Sequence, residues 1–202
     1  MINFLLKTKL LRKCKTFPTS NGMTYVELIV VLSIFAVLST VVIFNYGDFQ
    51  AKVDIKNLAS DIALKAVEAQ KSSLNGVLPL AGYNPATWKP SYGVYFDMNA
   101  PKQFIYFVDL NNSGDYQTNE LLDTISITKN NYISRIDKCS NATCTLPTSV
   151  NLFSVAFKRP DSSAIFTGLS VTGSEYVQVT VASPKEVITL IKLYPSGRVQ
   201  IN

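Results

Sequence analysis

Three groups of residues in this 202-residue chain carry chemistry by type and spacing. The first is Glu27, the only charge in the apolar run of residues 23–44. A carboxylate inside such a run costs several kcal/mol if the run sits in lipid, and it calls for a partner. A cut before Met23 would create an α-amino group one helical turn ahead of Glu27, and the first turn of a helix favours negative charge. The amine could belong to the same chain or to a neighbour, and a neighbour's amine would set the register between subunits. The alternative is an uncleaved anchor whose Glu27 lies at the membrane edge and reaches water.

The second group is the stretch 109–120, Asp-Leu-Asn-Asn-Ser-Gly-Asp-Tyr-Gln-Thr-Asn-Glu. It fits the twelve-residue calcium loop, with oxygen ligands from Asp109, Asn111 and Ser113, a turn at Gly114 and Glu120 closing the site. Asp115 would offer its carbonyl, and Gln117 a side-chain or water contact. Hard oxygen donors suit Ca2+ better than a transition metal. The same residues also read as an acidic, Asn-rich surface turn without an ion. The third group is Cys139 and Cys144, which read as a disulfide or as two free thiols on one loop. The chain has no His. That excludes His-based triads, His zinc sites and imidazole acid–base chemistry.

Charge is unevenly placed. The chain has 19 Lys and Arg against 14 Asp and Glu. Lys7, Lys9, Arg12, Lys13 and Lys15 all precede Gly22, and no acid does, so removal of residues 1–22 leaves 14 of each sign. The basic excess then belongs to a targeting segment rather than to a binding surface. Cys14 would leave with it. The apolar content, 47 %, is that of a globular protein.

These residues need elements to hold them. The run 23–44 is long enough to span a bilayer as a helix, and the preceding basic residues predict a cytoplasmic amino end. Ile55, Leu58, Ala59, Ile62, Ala66 and Ala69 recur at helical spacing, so an amphipathic helix follows, with Asn45 and Gly47 near the join and a stop at Asn75-Gly76. Beyond it, β-branched and aromatic runs at 92–96, 103–108, 121–128, 132–136, 150–157, 164–167, 176–181 and 187–194 are separated by turn residues. Pro195-Ser196-Gly197 predicts a terminal hairpin. The expected class is α+β: a leader at 1–22, a long N-terminal helix at 23–75 and an antiparallel β-sheet domain at 76–202.

Gly22-Met23-Thr24-Tyr25-Val26-Glu27-Leu28-Ile29-Val30-Val31-Leu32 resembles the cleavage and methylation motif of type IV pilins and type II secretion pseudopilins. Met23 stands where the family most often has Phe, and Tyr25 where Leu is usual. The resemblance implies cutting after Gly22 by a membrane prepilin peptidase, N-methylation of Met23, and assembly with other pilin subunits through the helix. Glu27 would neutralise a neighbour's Met23 amine, and an inner-membrane assembly platform would be a further partner. The fold implied is pilin-like, similar to minor pseudopilins and fimbrial-T-like subunits, and 155–161 resembles a strand-and-turn segment of some of them. The implied location is a single-pass membrane protein with an extracytoplasmic domain, later a filament. On this reading the chain is a structural subunit and not an enzyme. Two other classes stand beside it: a tip subunit touching nucleic acid or a surface, with Lys158, Arg159, Lys192 and Arg198 as the basic patch, and a membrane-anchored enzyme built on scattered carboxylates.

Overall fold

A computed structural model describes residues 22–77, 91–140, 144–145, 147–160, 163–171 and 175–202. The leader up to Asn21 lies outside the described residues, as do Pro79 and Asp161. The fold is α+β: one long helix, α1 (Tyr25–Asn75), followed by antiparallel strands in two sheets. The chain divides into two compact units, Met1–Phe44 and Asn45–Asn202.

In the first unit, residues 25–44 are helical. Every large apolar side chain there is between 44 % and 79 % exposed. Twenty helical residues rise about 30 Å, the thickness of a bilayer core. α1 is thus long and apolar enough near the N-terminus to cross a membrane.

In the second unit the same helix is amphipathic. Ile55, Leu58, Ala59, Ile62, Ala66 and Ala69 are all at most 9 % exposed, while Leu64, off that face, is 64 % exposed. The small residues on the buried stripe let the helix sit close to its neighbours. The helix stops as the sequence predicts. Gly76 adopts φ +62°, its N–H donates to Ser73 O (3.1 Å), and Val77 N–H donates to Ser72 O (3.1 Å). This is a Schellman ending, which needs a residue without a Cβ penalty at Gly76. The end is tied down by Tyr92, whose hydroxyl donates to Val77 O at 2.7 Å, and by Ser73, which donates to Phe157 O.

Among the described residues ten strands follow: β1 (Ser91–Asp97), β2 (Gln103–Asp109), β3 (Leu121–Ser126), β4 (Tyr132–Cys139), β5 (Thr148–Ser149), β6 (Leu152–Phe157), β7 (Ala164–Thr167), β8 (Tyr176–Ala182), β9 (Ile188–Leu193) and β10 (Val199–Ile201). They form not one sheet but two of five strands, in the orders β3-β2-β1-β6-β7 and β10-β9-β8-β4-β5. The expected terminal hairpin is β9–β10, closed where Gly197 N–H meets Tyr194 O. The expected strand at 121–128 ends at Ser126, because Thr128 to Asn131 make a turn with Lys129 and Asn130 both at positive φ. Two consecutive residues at positive φ are the pattern of a tight type I′ turn, and here it carries the chain from β3 in one sheet to β4 in the other.

One apolar cluster joins the helix stripe to both sheets. The first sheet contributes Tyr92, Val94, Phe96, Phe104, Phe153 and Phe157, and the second Ile133, Ile136, Val177, Val179, Val181 and Ile191. Strand alternation explains the set: one face of each strand points at the helix. The amphipathic half of α1 therefore belongs to the same compact unit as the sheets.

Candidate functional site

The start of α1 is built from the residues singled out by the motif. Gly22 and Met23 are exposed and precede the helix, which begins two residues after Met23. Met23 is therefore outside the first helical turn, not in it. Thr24 caps the helix: its Oγ1 accepts the Glu27 N–H at 3.3 Å, and its carbonyl accepts the Leu28 N–H at 3.1 Å. The spacing Thr24-x-x-Glu27 is a capping-box signature, a second signal in the sequence for a Glu at this place. Glu27 lies in the first turn, where the helix dipole favours a carboxylate. Gly22 is not demanded by the fold. No described atom lies within 4 Å of the position its Cβ would take, and its φ is not in the left-handed region.

The 109–120 stretch is a strap across the outer face of the first sheet. Its two end carboxylates are buried, Asp109 and Glu120 each 1 % exposed. Both are satisfied by backbone amides. Asp109 accepts from Ser113 N–H (3.0 Å) and Gly114 N–H (2.8 Å), and Glu120 from Leu110 N–H and Gln117 N–H (both 2.9 Å). Hydrogen bonds of amides to an ionised carboxylate are among the stronger ones in proteins. Asn111 joins Asp109 on the Ser113 N–H. Asp115 turns the other way, to the Ser154 hydroxyl on β6 (2.6 Å). Gln117 contributes its backbone N–H, and its side chain is exposed.

The strap is anchored on four strands. Thr167 on β7 donates to Gly114 O at 2.9 Å, and Ser154 lies on β6. The Tyr116 ring packs on Tyr95 of β1 (4.9 Å) and Phe107 of β2 (5.7 Å). Gly114 has φ +78°, and a Cβ there would stand 3.1 Å from Ile165 Cγ2. The turn glycine is thus required twice over, by conformation and by the approach to β7. Ser154, Thr167 and Tyr116 carry no signal in the sequence, since they meet the loop only through sheet pairing.

The predicted calcium ligands are thus brought together only in part. Each carboxylate oxygen keeps a second lone pair beyond its amide bond. Among the described residues, however, no three Asp, Glu, His or Cys side chains gather closely enough to hold a metal ion.

The Cys139 and Cys144 sulfurs are bonded, with Cα atoms 4.7 Å apart, at the end of β4. The four predicted basic residues fall in two settings. Arg159 lies against the helix end at Gly76. Lys192 and Arg198 stand over aromatic rings on the second sheet, Lys192 Nζ 5.0 Å from the Tyr176 centroid and Arg198 Cζ 3.9 Å from that of Tyr194. Lys158 is half-buried at the end of β6.

No family model matches the chain, and no curated protein and no solved structure matches it either.

Proposed function

We propose that this chain is the precursor of a filament subunit of the type IV pilin and type II secretion pseudopilin kind, with a structural rather than an enzymatic role. The observation that carries the reading is the sequence of features at the start of α1. An exposed, non-helical Gly22–Met23 bond is followed at once by twenty helical residues whose large side chains are all uncovered. Proteases bind extended backbone, so a bond ahead of the helix is open to one while a bond inside it is not. Gly at position 22 has no function within the described fold, and a peptidase that grips the backbone closely gives it one.

On this reading a prepilin peptidase cuts after Gly22 and Met23 is N-methylated. The apolar half of α1 rests in the membrane with the β domain outside the cytoplasm, and is then drawn through an inner-membrane assembly platform into a filament of like subunits. The same apolar surface is satisfied by lipid first and by neighbouring helices afterwards. Glu27 pairs with the Met23 amine of an adjacent subunit. Mass spectrometry of the mature chain tests this: it is expected to begin at N-methylated Met23, and an intact amino terminus overturns the reading. Glu27→Ala is expected to be processed normally and to fail in assembly.

Two additions are separable. The row Lys192–Tyr176–Tyr194–Arg198 favours a tip subunit that touches nucleic acid, since the rings hold the cations in place for phosphate. A salt-sensitive shift of single-stranded DNA by the full chain in detergent is its test, and no shift at low salt removes it. Calcium binding at the 109–120 strap rests on the free lone pairs of Asp109 and Glu120. A thermal melt unchanged between millimolar calcium and chelator overturns it.

A further inference from the structure

A second site lies where the β3–β4 turn meets α1. Between α1 and the β3–β4 turn there is a cleft of about 170 Å³. Its helix wall is a single stripe. Asp54, Asn57, Leu58 and Asp61 follow one another at helical spacing, with Asp54 and Asp61 about 10 Å apart along the axis. Its floor is apolar: Leu58, Phe104 and Ile127 are each at most 9 % exposed. Its far wall carries Asn131, directly after the Lys129-Asn130 turn.

The two ends of the stripe differ. At one end Lys129 Nζ sits 2.6 Å from Asp54 Oδ1, and Gln50 donates to the same oxygen. This contact holds the Asp54 carboxyl below its ordinary range. At the other end Asp61 has no hydrogen bond or ion pair among the described residues. The chain's own ammonium thus shows at Asp54 what kind of group the stripe accepts, and leaves Asp61 unused.

Asn131 supplies the independent observation. It is 4 % exposed, yet its carboxamide has no partner among the described residues. A buried amide without a partner is destabilising, so it is normally paired. No fully enclosed side-chain nitrogen or oxygen is left unpaired among the described residues. The Asn131 amide is therefore not sealed in apolar packing but reaches open space, and the cleft is one of the hollows it lines. It lines a second hollow of about 220 Å³ as well, on the other side of the Asp54–Lys129 pair.

We infer that the cleft is a binding site for a primary ammonium carried on a short apolar stem, the chemistry of a lysine side chain. The ammonium meets Asp61, the stem lies on Leu58, Phe104 and Ile127, and the Asn131 amide takes a polar group at the base of the stem. The volume suits a side chain and is too small for a drug-sized ligand. A long amphipathic side chain is satisfied by just this pairing of an apolar floor with a charged rim. The group can come from a free amine or from a lysine of a second copy. The inference does not depend on filament assembly.

The test uses the full chain in detergent with N-acetyl-lysine N-methylamide as probe and the norleucine analogue, which lacks only the ammonium, as control. Saturation-transfer NMR is expected to show saturable binding of the lysine analogue. Binding should be about tenfold weaker for the norleucine analogue and for the Asp61→Asn chain. Asp61 is exposed and unpartnered, so this variant keeps its fold, and an unchanged thermal melt checks that. Equal binding of both analogues, or undiminished binding to Asp61→Asn, overturns the proposal, as does no binding at all. In a second arm, membranes holding the chain are treated with a carbodiimide, which joins a carboxylate to a touching amine. A dimer that Asp61→Asn abolishes makes a second copy the source of the lysine; Asp61-dependent probe binding without such a dimer makes it a free amine.

Discussion

At the scale of single residues, the strap carboxylates and the buried tyrosines make the sharpest predictions. Asp109 accepts two backbone amides while 1 % exposed. Asp109→Ala leaves the Gly114 N–H without an acceptor and the Ser113 N–H with Asn111 alone, and is expected to cost about 2 kcal/mol, read from denaturant unfolding of the full chain in detergent. A loss below about 1 kcal/mol would mean that the strap contributes little to the fold. Tyr92 has its phenol pushed up from 10.0 to about 12, first by burial and then by Tyr106. A raised folded value favours the protonated phenol in the native state. The stabilisation is therefore complete below pH 10 and is lost as pH rises toward about 12. Tyr92→Phe is expected to flatten that alkaline limb. At neutral pH it should cost about 1 kcal/mol for the bond to Val77 O. Circular dichroism against pH for the two chains checks both statements.

At the scale of elements, α1 carries two patterns in one helix. Its apolar stripe from Ile55 to Ala69 faces the core, and Leu64 does not. Ile62→Ala is expected to cost about 3 kcal/mol, and Leu64→Ala to stay within about 0.5 kcal/mol. Similar losses for both would show that the stripe does not face the sheets. This stripe was legible residue by residue, because helical spacing is a local property. The strand runs were legible for the same reason, apart from their ends. β5, two residues long, was not: it exists because Thr148 and Ser149 meet Lys138 and Asp137 on β4, and pairing of that kind leaves no period in the chain.

At the scale of the whole molecule, the apolar cluster of the described residues, from Ile55 to Leu193, lies within Asn45–Asn202. A chain of residues 45–202 is expected to fold and stay in solution without detergent, with a cooperative melt and dispersed NMR signals. Aggregation or a broad melt would mean that residues before 45 contribute to the core. The full chain should partition into detergent or lipid through residues 25–44, where nothing described covers the apolar side chains.

The order of elements, the helix stop at Gly76, the exposed apolar run and the residues of the buried stripe follow from the sequence alone. Each depends on neighbours within a turn or two of chain, or on composition over one window. The division of the described strands into two sheets, with β6 returning beside β1 and β8 beside β4, was decided by the tertiary structure, since those partners are distant in sequence. The same holds for the acidic loop. Its residue types announce oxygen donors, but only the backbone path turns four carboxylate oxygens onto amides and lays the loop over β1, β2, β6 and β7. It holds again for Asp61 and Asn131, which share a cleft because the β3–β4 turn is folded onto α1.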